Sequence, residues 1–371
     1  MNLRLRWREM DRRQCARPTT LALLFGILLV VPCLTQESLT RESLTQESLA
    51  QKRVTLDEAK EMFRQKRYNE AAAAFEAIEK SAPGTSDALL FRGKSLIDMG
   101  RFTEAGTALQ SYCSQHPESD DGLYLLAYVR FRENKPAESL QLFTQAARLK
   151  PPTADDFKII GLDYALLDDN QSAAKYLQRA VSMQPTSIEA RYYLGRALYL
   201  QNKFDECISV FEEVLKQDPT LVKAQDNLAL AREGKNQPEM AIAAYRKAID
   251  MDRQSAKRSE QPYLNLATLL IKSGQPREAI PLLKEAQHIR PDSAKVRYEL
   301  GNAYLGLGQL KDAKTELEES ERLDSKDTAT HYLLGRLYRR LGETDNAARE
   351  LKLTEEMVDA KRNASQTTMA R

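Results

Sequence analysis

Histidines and paired carboxylates are the side chains of this chain that could perform acid–base or metal chemistry. The 371 residues include three histidines, namely His116, His288 and His331. They lie at least 43 residues apart, each in a different helical segment, so no two of them have the spacing of paired metal ligands on one helix. The acidic pairs Asp155/Asp156 and Asp168/Asp169 stand where helical patterns begin, and carboxylates there commonly cap free N–H groups. We therefore predict no metal site and no catalytic residue.

Motifs for cofactors and for nucleophilic catalysis are also missing from the sequence. It contains no glycine-rich phosphate loop, no Gly-x-Ser-x-Gly turn and no His-Glu-x-x-His helix. Cys15 and Cys33 belong to the N-terminal segment, whereas Cys113 and Cys207 lie in separate helical patterns too far apart to bridge. We expect the latter two to be buried free thiols. The sequence thus predicts a protein that is not an enzyme and uses no cofactor.

Small residues recur with a period of 34 residues between Lys52 and Lys361. The first small position holds Gly or Ala in each period: Ala59, Gly93, Ala127, Gly161, Gly195, Ala229, Ala267, Gly301 and Gly335. Twelve residues later stand Ala71, Ala105, Ser139, Ala173, Cys207, Ala241, Ala279, Ala313 and Ala347. Four residues further on come Phe75, Leu109, Phe143, Leu177, Phe211, Tyr245, Leu283, Leu317 and Leu351. Small and large residues four apart share a helix face, so the period predicts stacked helical hairpins.

Three segments carry the pattern most fully: Arg-Tyr-Tyr-Leu-Gly-Arg-Ala-Leu-Tyr at 191–199, Arg-Tyr-Glu-Leu-Gly-Asn-Ala-Tyr-Leu at 297–305 and His-Tyr-Leu-Leu-Gly-Arg-Leu-Tyr-Arg at 331–339. Proline closes six periods, at Pro83, Pro117, Pro151, Pro185, Pro219 and Pro291. Arg253, Ser325 and Asp359 replace it in the other three. With these residues the chain resembles the tetratricopeptide repeat (TPR) family. The resemblance implies an all-α fold, a right-handed superhelical solenoid of antiparallel helix pairs with nine tandem repeats.

The repeat register divides the chain into four parts. Residues 52–361 hold nine repeats with a four-residue insertion at Ala256–Ser259 before repeat seven. The repeats are predicted at 52–85, 86–119, 120–153, 154–187, 188–221, 222–255, 260–293, 294–327 and 328–361. We predict a signal peptide or membrane anchor at 1–33, a low-complexity linker of Thr-Gln/Arg-Glu-Ser-Leu pentapeptides at 34–51, and a disordered tail at 362–371. Because repeats fill the chain, no space remains for a catalytic domain.

In the family, the first helix of each repeat lines a concave surface, where positions two, five, nine, twelve and thirteen are exposed. The resemblance therefore implies a protein-binding groove formed by Tyr124, Tyr128, Phe131, Arg132, Tyr192, Arg196, Tyr199, Lys295, Tyr298, Asn302, Tyr332, Arg336, Arg339 and Arg340. Aromatic and Arg side chains bury a large area at low entropic cost and pair with carboxylates, which suits recognition of an extended peptide. Any one of these tyrosines could instead pack against the next repeat.

Family members that hold the carboxylate of a chaperone tail use Lys at position five and Asn at position nine of one repeat. This sequence departs from that arrangement. Lys158 is followed at position nine by Leu162, and Asn302 is preceded at position five by Tyr298. The resemblance therefore does not extend to the binding of chaperone tails.

Charge argues against nucleic acid as a partner. The chain has 55 Lys and Arg against 53 Asp and Glu, a net charge of +2. Residues 1–33 contribute six Arg against Glu9 and Asp11, which leaves 49 basic and 51 acidic residues in the remainder. Binding to phosphates requires a concentrated basic face, and the near-neutral repeats do not predict one.

An apolar run near the N-terminus predicts export. Leu21 to Val31 is an uncharged stretch of eleven residues behind an Arg-rich segment, and Pro32 closes it. Even extended to Leu34, the run is shorter than the roughly 20 residues of a spanning helix. We expect a cleaved signal peptide and a secreted or periplasmic chain. The alternative is an uncleaved segment, residues 21–34, that tethers the chain to a membrane.

The sequence as a whole predicts a non-enzymatic scaffold for protein–protein interaction. Its solenoid would bind an extended peptide or a partner helix in the concave groove, with the chain exported or tethered to a membrane. The alternative is a structural or assembly component of a cell-envelope complex that acts through self-association or through the ends of the solenoid. The apolar residues Leu353, Met357 and Val358 in the last repeat belong to that alternative.

Overall fold

The computed structural model describes residues 54–82 and 84–369, which contain eighteen α-helices. These residues form two compact units divided after Tyr193. The N-terminal unit contains α1 (Leu56–Arg64), α2 (Tyr68–Ser81), α3 (Ser86–Asp98), α4 (Phe102–Gln115), α5 (Asp120–Arg132), α6 (Pro136–Leu149), α7 (Ala154–Leu166), α8 (Asn170–Met183) and the start of α9 (Ile188–Leu200). The C-terminal unit contains the rest of α9 with α10 (Phe204–Gln217), α11 (Val222–Gly234), α12 (Pro238–Arg253), α13 (Gln261–Lys272), α14 (Pro276–Ile289), α15 (Ala294–Gly306), α16 (Leu310–Leu323), α17 (Thr328–Leu341) and α18 (Thr344–Met369).

Each predicted repeat corresponds to one consecutive helix pair, beginning with α1 and α2. Within each unit, helices adjacent in sequence pack together. First helices of successive repeats also contact one another, as in α3 with α5 and in α15 with α17. The prediction of an all-α solenoid built from consecutive helix pairs is therefore confirmed.

The small and large positions of the period meet inside each helix pair. All eighteen small positions are buried, and of the large ones only Leu351 is half-buried rather than buried. At Gly161, an added Cβ would lie 2.6 Å from Leu177 Cγ. At Gly335, it would lie 2.7 Å from Leu351 Cγ. The large side chain of the second helix thus presses directly on the small position of the first, which is why only Gly or Ala fits there.

The turn within each pair uses one backbone geometry that the period did not reveal. Position fifteen has a positive φ in every repeat, at Lys66, Gly100, Asn134, Asp168, Asn202, Asn236, Gly274, Gly308 and Gly342. Gly, Asn and Asp adopt this left-handed conformation most readily, and a left-handed residue commonly ends a helix. Lys66, with φ 61°, is the residue of the set least suited to it.

Prolines and capping residues set the ends of the helices. Pro136, Pro238 and Pro276 occupy the first helical residue of α6, α12 and α14, where the missing N–H costs nothing. Thr153 and Asp156 form a capping box at the start of α7. Asp169 accepts a hydrogen bond from the Ser172 N–H at the start of α8. The acidic pairs therefore contribute helix caps, as the sequence predicts.

The four inserted residues after repeat six are held by a network of charges. Helix α12 has sixteen residues and runs through Arg253, the residue that replaces the closing proline. Arg258, inside the insertion, contacts Glu285 of α14 at 2.6 Å and the buried Asp252 at 3.3 Å. Its guanidinium also donates to the Tyr263 hydroxyl. Ionic contacts thus fix the chain where the proline is missing.

The structure describes most of the C-terminal end of the chain and not the N-terminal end. The last helix, α18, has 26 residues and continues through Met369, across most of the segment predicted to be a disordered tail. The predicted signal or anchor and the pentapeptide linker lie outside the described residues. Within residues 54–82 and 84–369, no helix is both long and apolar enough to cross a membrane.

Candidate protein-binding face

Helix α5 of the N-terminal unit positions four of the predicted groove residues. Tyr128 and Arg132 are half-buried, and Arg132 Nη1 donates a 2.6 Å hydrogen bond to the Tyr128 hydroxyl. The Arg132 guanidinium also lies 4.1 Å from the centre of the Phe102 ring of α4. Tyr124 donates from its hydroxyl to the Lys150 carbonyl oxygen at 2.6 Å, and burial raises its pKa to about 12. Phe131 is buried, so its side chain lies in the interior and not on an exposed face of α5.

Helix α9 holds its predicted groove residues largely away from solvent. Tyr192 is only 1% exposed and Arg196 only 2% exposed. Tyr199 is half-buried, and its ring packs edge-on against Phe204 at a centroid distance of 5.7 Å. Tyr192 and Arg196 therefore belong to the packed interior, which is the alternative that the sequence left open for the tyrosines.

Helices α15 and α17 bring cations and aromatic rings together on the surface of the C-terminal unit. Lys295 Nζ lies 4.1 Å from the centre of the Tyr298 ring. The Arg336 guanidinium lies 5.8 Å from the Tyr332 ring, and Tyr332 is 50% exposed. Burial raises the pKa of Tyr298 to about 12, while the Arg336 charge acts in the opposite direction. We call Lys295, Tyr298, Tyr332 and Arg336 the cation–aromatic patch.

Three further predicted residues lie beside this patch. Arg339 and Arg340 are exposed, and Asn302 is half-buried. Arg340 Nη1 donates a 2.8 Å hydrogen bond to the Leu305 carbonyl oxygen. Arg340 therefore links α17 to α15 through this hydrogen bond, whereas the Arg339 side chain is exposed to solvent.

Two ion pairs that the sequence analysis did not predict join the first helices of the N-terminal unit. Lys60 of repeat one contacts Asp87 of repeat two at 2.6 Å, and Lys94 of repeat two contacts Asp121 of repeat three at 2.6 Å. In both cases position nine of one repeat meets position two of the next. The spacing of 27 residues was visible in the sequence as a Lys–Asp recurrence.

The last repeat presents the same position without its partner. Arg336 stands at position nine of repeat nine, and the residue 27 positions further on, Asn363, carries no carboxylate. Among residues 54–82 and 84–369, none forms an ion pair or hydrogen bond with the guanidinium of Arg336 or Arg339. Two exposed cations next to two tyrosines can therefore accept carboxylates from outside the chain.

One cluster in the C-terminal unit has the donor atoms of a cation site. Donor atoms of Glu321, His331 and Glu350 lie within 4.8 Å of one another. The residues come from α16, α17 and α18, between ten and 29 positions apart in sequence. Their spacing in the sequence gives no sign of a shared site, because only the packing of three helices brings them together.

Comparison with known proteins identifies the repeats. Family models described as tetratricopeptide repeat match residues 56–120 and 92–154, 165–229 and 270–337, 222–255, and 328–352. The matches confirm the repeats that the sequence predicts. Scaffolds built from such repeats bind protein or peptide partners and are typically non-enzymatic.

Similar proteins share the repeats over part of their length. A BBSome complex member of Drosophila melanogaster is 28% identical over 36% of this chain and 29% of its own length. A peroxisomal targeting signal receptor of Saccharomyces cerevisiae is 26% identical over 49% of this chain and 31% of its own. The chain thus spans about a third of either relative. The C-terminal part of a repeat protein from Cytophaga hutchinsonii, 17% identical, superimposes with a TM-score of 0.53 over 65% of this chain and 98% of that structure.

These matches extend over most of the nine helix pairs and agree with the small and large positions on which each pair closes. The chain belongs to the tetratricopeptide repeat family.

Proposed function

We propose that this chain is a scaffold that holds an extended acidic segment of a partner protein against the cation–aromatic patch. The observation that carries the proposal is the state of Arg336. In the N-terminal unit, Lys60 and Lys94 at the equivalent position are paired with acids of the next repeat. Arg336 has no such pair among the described residues, so a carboxylate of the partner would occupy the equivalent place.

The aromatic rings of the patch give the same segment an apolar support. Tyr332 is half exposed, and Tyr298 lies on the neighbouring first helix at the same repeat position. Rings of this kind bury area with few rotatable bonds, and an Arg beside them pairs with a carboxylate through two parallel hydrogen bonds. A segment that alternates carboxylates with side chains that pack on tyrosine matches this chemistry.

Charge reversal at the two unpaired arginines tests the proposal. The probe is a fluorescein-labelled peptide of alternating Glu and Tyr, with a Lys and Tyr peptide of equal length as its counterpart. We expect the acidic peptide to bind the full chain with an affinity that falls as salt rises, and the basic peptide not to bind. The double change Arg336→Glu and Arg339→Glu should abolish acidic binding, measured by fluorescence anisotropy.

A matched control separates local from global charge effects. Arg277 and Lys311 are exposed cations on the second helices α14 and α16, away from the first-helix face. The double change Arg277→Glu and Lys311→Glu alters the net charge equally and should leave binding intact. Equal losses in both double variants, or no acidic binding by the unmodified chain, would show that the patch is not the binding site.

A second measurement tests the alternative, in which the chain is a structural component of a cell-envelope assembly. Leu353 and Met357 of α18 are half-buried, and Val358 is 42% exposed. The double change Leu353→Asp and Met357→Asp would dissociate a self-associated species, which sedimentation velocity detects. If it does so while the arginine variants leave peptide binding unchanged, the assembly role replaces the scaffold role.

We also propose that the chain is exported and that Leu21 to Val31 directs the export. The supporting feature is the uncharged run behind six arginines in residues 1–33. Mass spectrometry of the N-terminus after cell fractionation tests it. A mature chain that starts near Thr35 supports cleavage, and an intact chain in the membrane fraction supports a tether. An intact chain in the cytosolic fraction contradicts both.

A further inference from the structure

The cluster of Glu321, His331 and Glu350 joins the last three helices. His331 on α17 and Glu350 on α18 have side chains only 1% and 2% exposed. Glu321 on α16 is 35% exposed and lies on the solvent side of the cluster. Two charged or polar groups buried to this degree require strong mutual compensation.

The hydrogen bonds of His331 define where its protons lie. Its Nε2 is 3.0 Å from the Ser325 carbonyl oxygen, which can only accept, so Nε2 carries a hydrogen. Its Nδ1 faces a Glu350 carboxylate oxygen at 2.7 Å and a Glu321 oxygen at 4.0 Å. A neutral ring would turn a lone pair toward these oxygens. A cation must therefore lie at Nδ1, either a proton or a metal ion.

The arrangement has the features of a protein metal site. Tetrahedral zinc ligands with bonds of about 2.0–2.1 Å stand roughly 3.3 Å apart, between the two separations that Nδ1 makes here. The Ser325 carbonyl orients the ring through Nε2, as the outer partner of a metal-bound histidine does. Arg349 binds the other oxygen of Glu350 at 3.0 Å and leaves the inner oxygen toward the ring. The partial exposure of Glu321 provides an entry path.

We propose that the last repeat binds one Zn²⁺ ion through His331 Nδ1, Glu350 and Glu321, with water in the fourth position. One imidazole nitrogen with two carboxylates suits Zn²⁺, whereas Mg²⁺ prefers an octahedral shell of oxygens. The ion takes the place of the proton at Nδ1 after Glu350 moves outward and Glu321 inward. It joins α16, α17 and α18, and so stabilises the end of the C-terminal unit.

The test is a calorimetric titration of ZnCl₂ into the full chain, free of added histidine tags and pretreated with chelator, at pH 7. We expect one equivalent to bind through the cluster, MgCl₂ not to compete, and the melting temperature to rise with zinc concentration. His331→Ala should remove this binding. If zinc produces no stoichiometric heat and no thermal shift, a proton occupies the position and the proposal is wrong.

Glu321→Gln is a second variant that still tests the zinc site if His331→Ala fails to fold. The Glu321 carboxylate makes no other ion pair or hydrogen bond within the described ranges, so its loss should leave the repeat folded. A zinc affinity lowered at least about tenfold supports the site. Unchanged affinity in this variant places the zinc elsewhere and overturns the proposal. His116→Gln serves as the control because the His116 ring packs on Tyr112 at a centroid distance of 5.0 Å and pairs with a single carboxylate, that of Glu118 at 3.6 Å. This variant should bind zinc as the unmodified chain does.

Discussion

Ser139 Oγ donates a 2.9 Å hydrogen bond to the backbone carbonyl oxygen of Ala127. The two residues are the small positions of repeat three, and both are completely buried. The bond therefore joins α5 to α6 at their buried small positions. Seven of the other repeats place Ala at the position of Ser139, so a polar atom is not required there. The Ser139 hydroxyl is tolerated there because it can donate to the Ala127 carbonyl oxygen.

Replacement of Ser139 separates the hydrogen bond from the space it occupies. Ser139→Ala should destabilise the chain by about 0.5–1.5 kcal/mol, the net value of one hydrogen bond. Ser139→Leu should cost about 1–3 kcal/mol more, because added atoms at the crossing force the helices apart. Urea unfolding followed by circular dichroism measures both. A Leu variant as stable as the Ala variant would show that the small position tolerates bulk.

Two glycines of α15 give opposite predictions for the same substitution. A Cβ at Gly301 would overlap Leu317 Cγ, so Gly301→Ala should destabilise the chain by about 1–3 kcal/mol. At the exposed Gly306, the nearest atom would be Pro276 Cγ at 3.9 Å. Gly306→Ala should therefore stabilise the helix by up to about 1 kcal/mol. Thermal unfolding of the two variants compares them, and a shift of the same sign in both would contradict the packing argument.

The parts of the fold that follow the period could be predicted, and those that depend on packing between helices could not. Gly301 and Leu317 recur at fixed spacing, so their meeting was readable from the sequence. His331 and Glu350 lie 19 residues apart on different helices, and only the packing of α17 on α18 brings them together. Burial of Tyr192 and Arg196 has the same origin. The family's binding positions give the place of a residue within its repeat. They do not show how far neighbouring side chains bury that residue.

Turn geometry has a sequence signal in eight repeats and none in the first. Gly, Asn or Asp, the residues that most readily adopt a positive φ, stand at position fifteen in eight repeats, whereas repeat one has Lys there. Lys66 carries the steric cost of a positive φ in repeat one. Lys66→Gly should therefore raise stability by up to about 1 kcal/mol, while Lys66→Val should lower it. The order of the unfolding midpoints tests this, and Val at or above Gly would contradict it.

The ionic network at the insertion makes stability depend on pH. Arg253 first, and then Arg258, lower the pKa of Glu285 to about 2 from an ordinary value near 4.5. A carboxylate with a lowered folded pKa contributes stability above its unfolded pKa and loses it as pH falls through the folded pKa. The advantage of the unmodified chain over Glu285→Gln should be complete at pH 7 and shrink between about pH 4.5 and 2. A difference that stays constant over this range would exclude the pairing.

The two described cysteines should resist alkylation in the folded chain. Burial raises the pKa of the Cys113 thiol to about 11 and that of Cys207 to about 12, so at pH 8 about one thiol in a thousand or fewer is the reactive thiolate. Iodoacetamide labelling, resolved by peptide mass spectrometry, should modify both only after guanidinium is added.

The difference in burial also predicts an order of reaction. Cys113 is 7% exposed and Cys207 is not exposed. Cys207 occupies a small position at the centre of repeat five, so its labelling requires the pair α9 and α10 to open, whereas Cys113 lies near the end of α4. We therefore expect Cys113 to react first under mild denaturant. Equal labelling rates for Cys207 in native buffer and in guanidinium would show that the small position is not closed in solution.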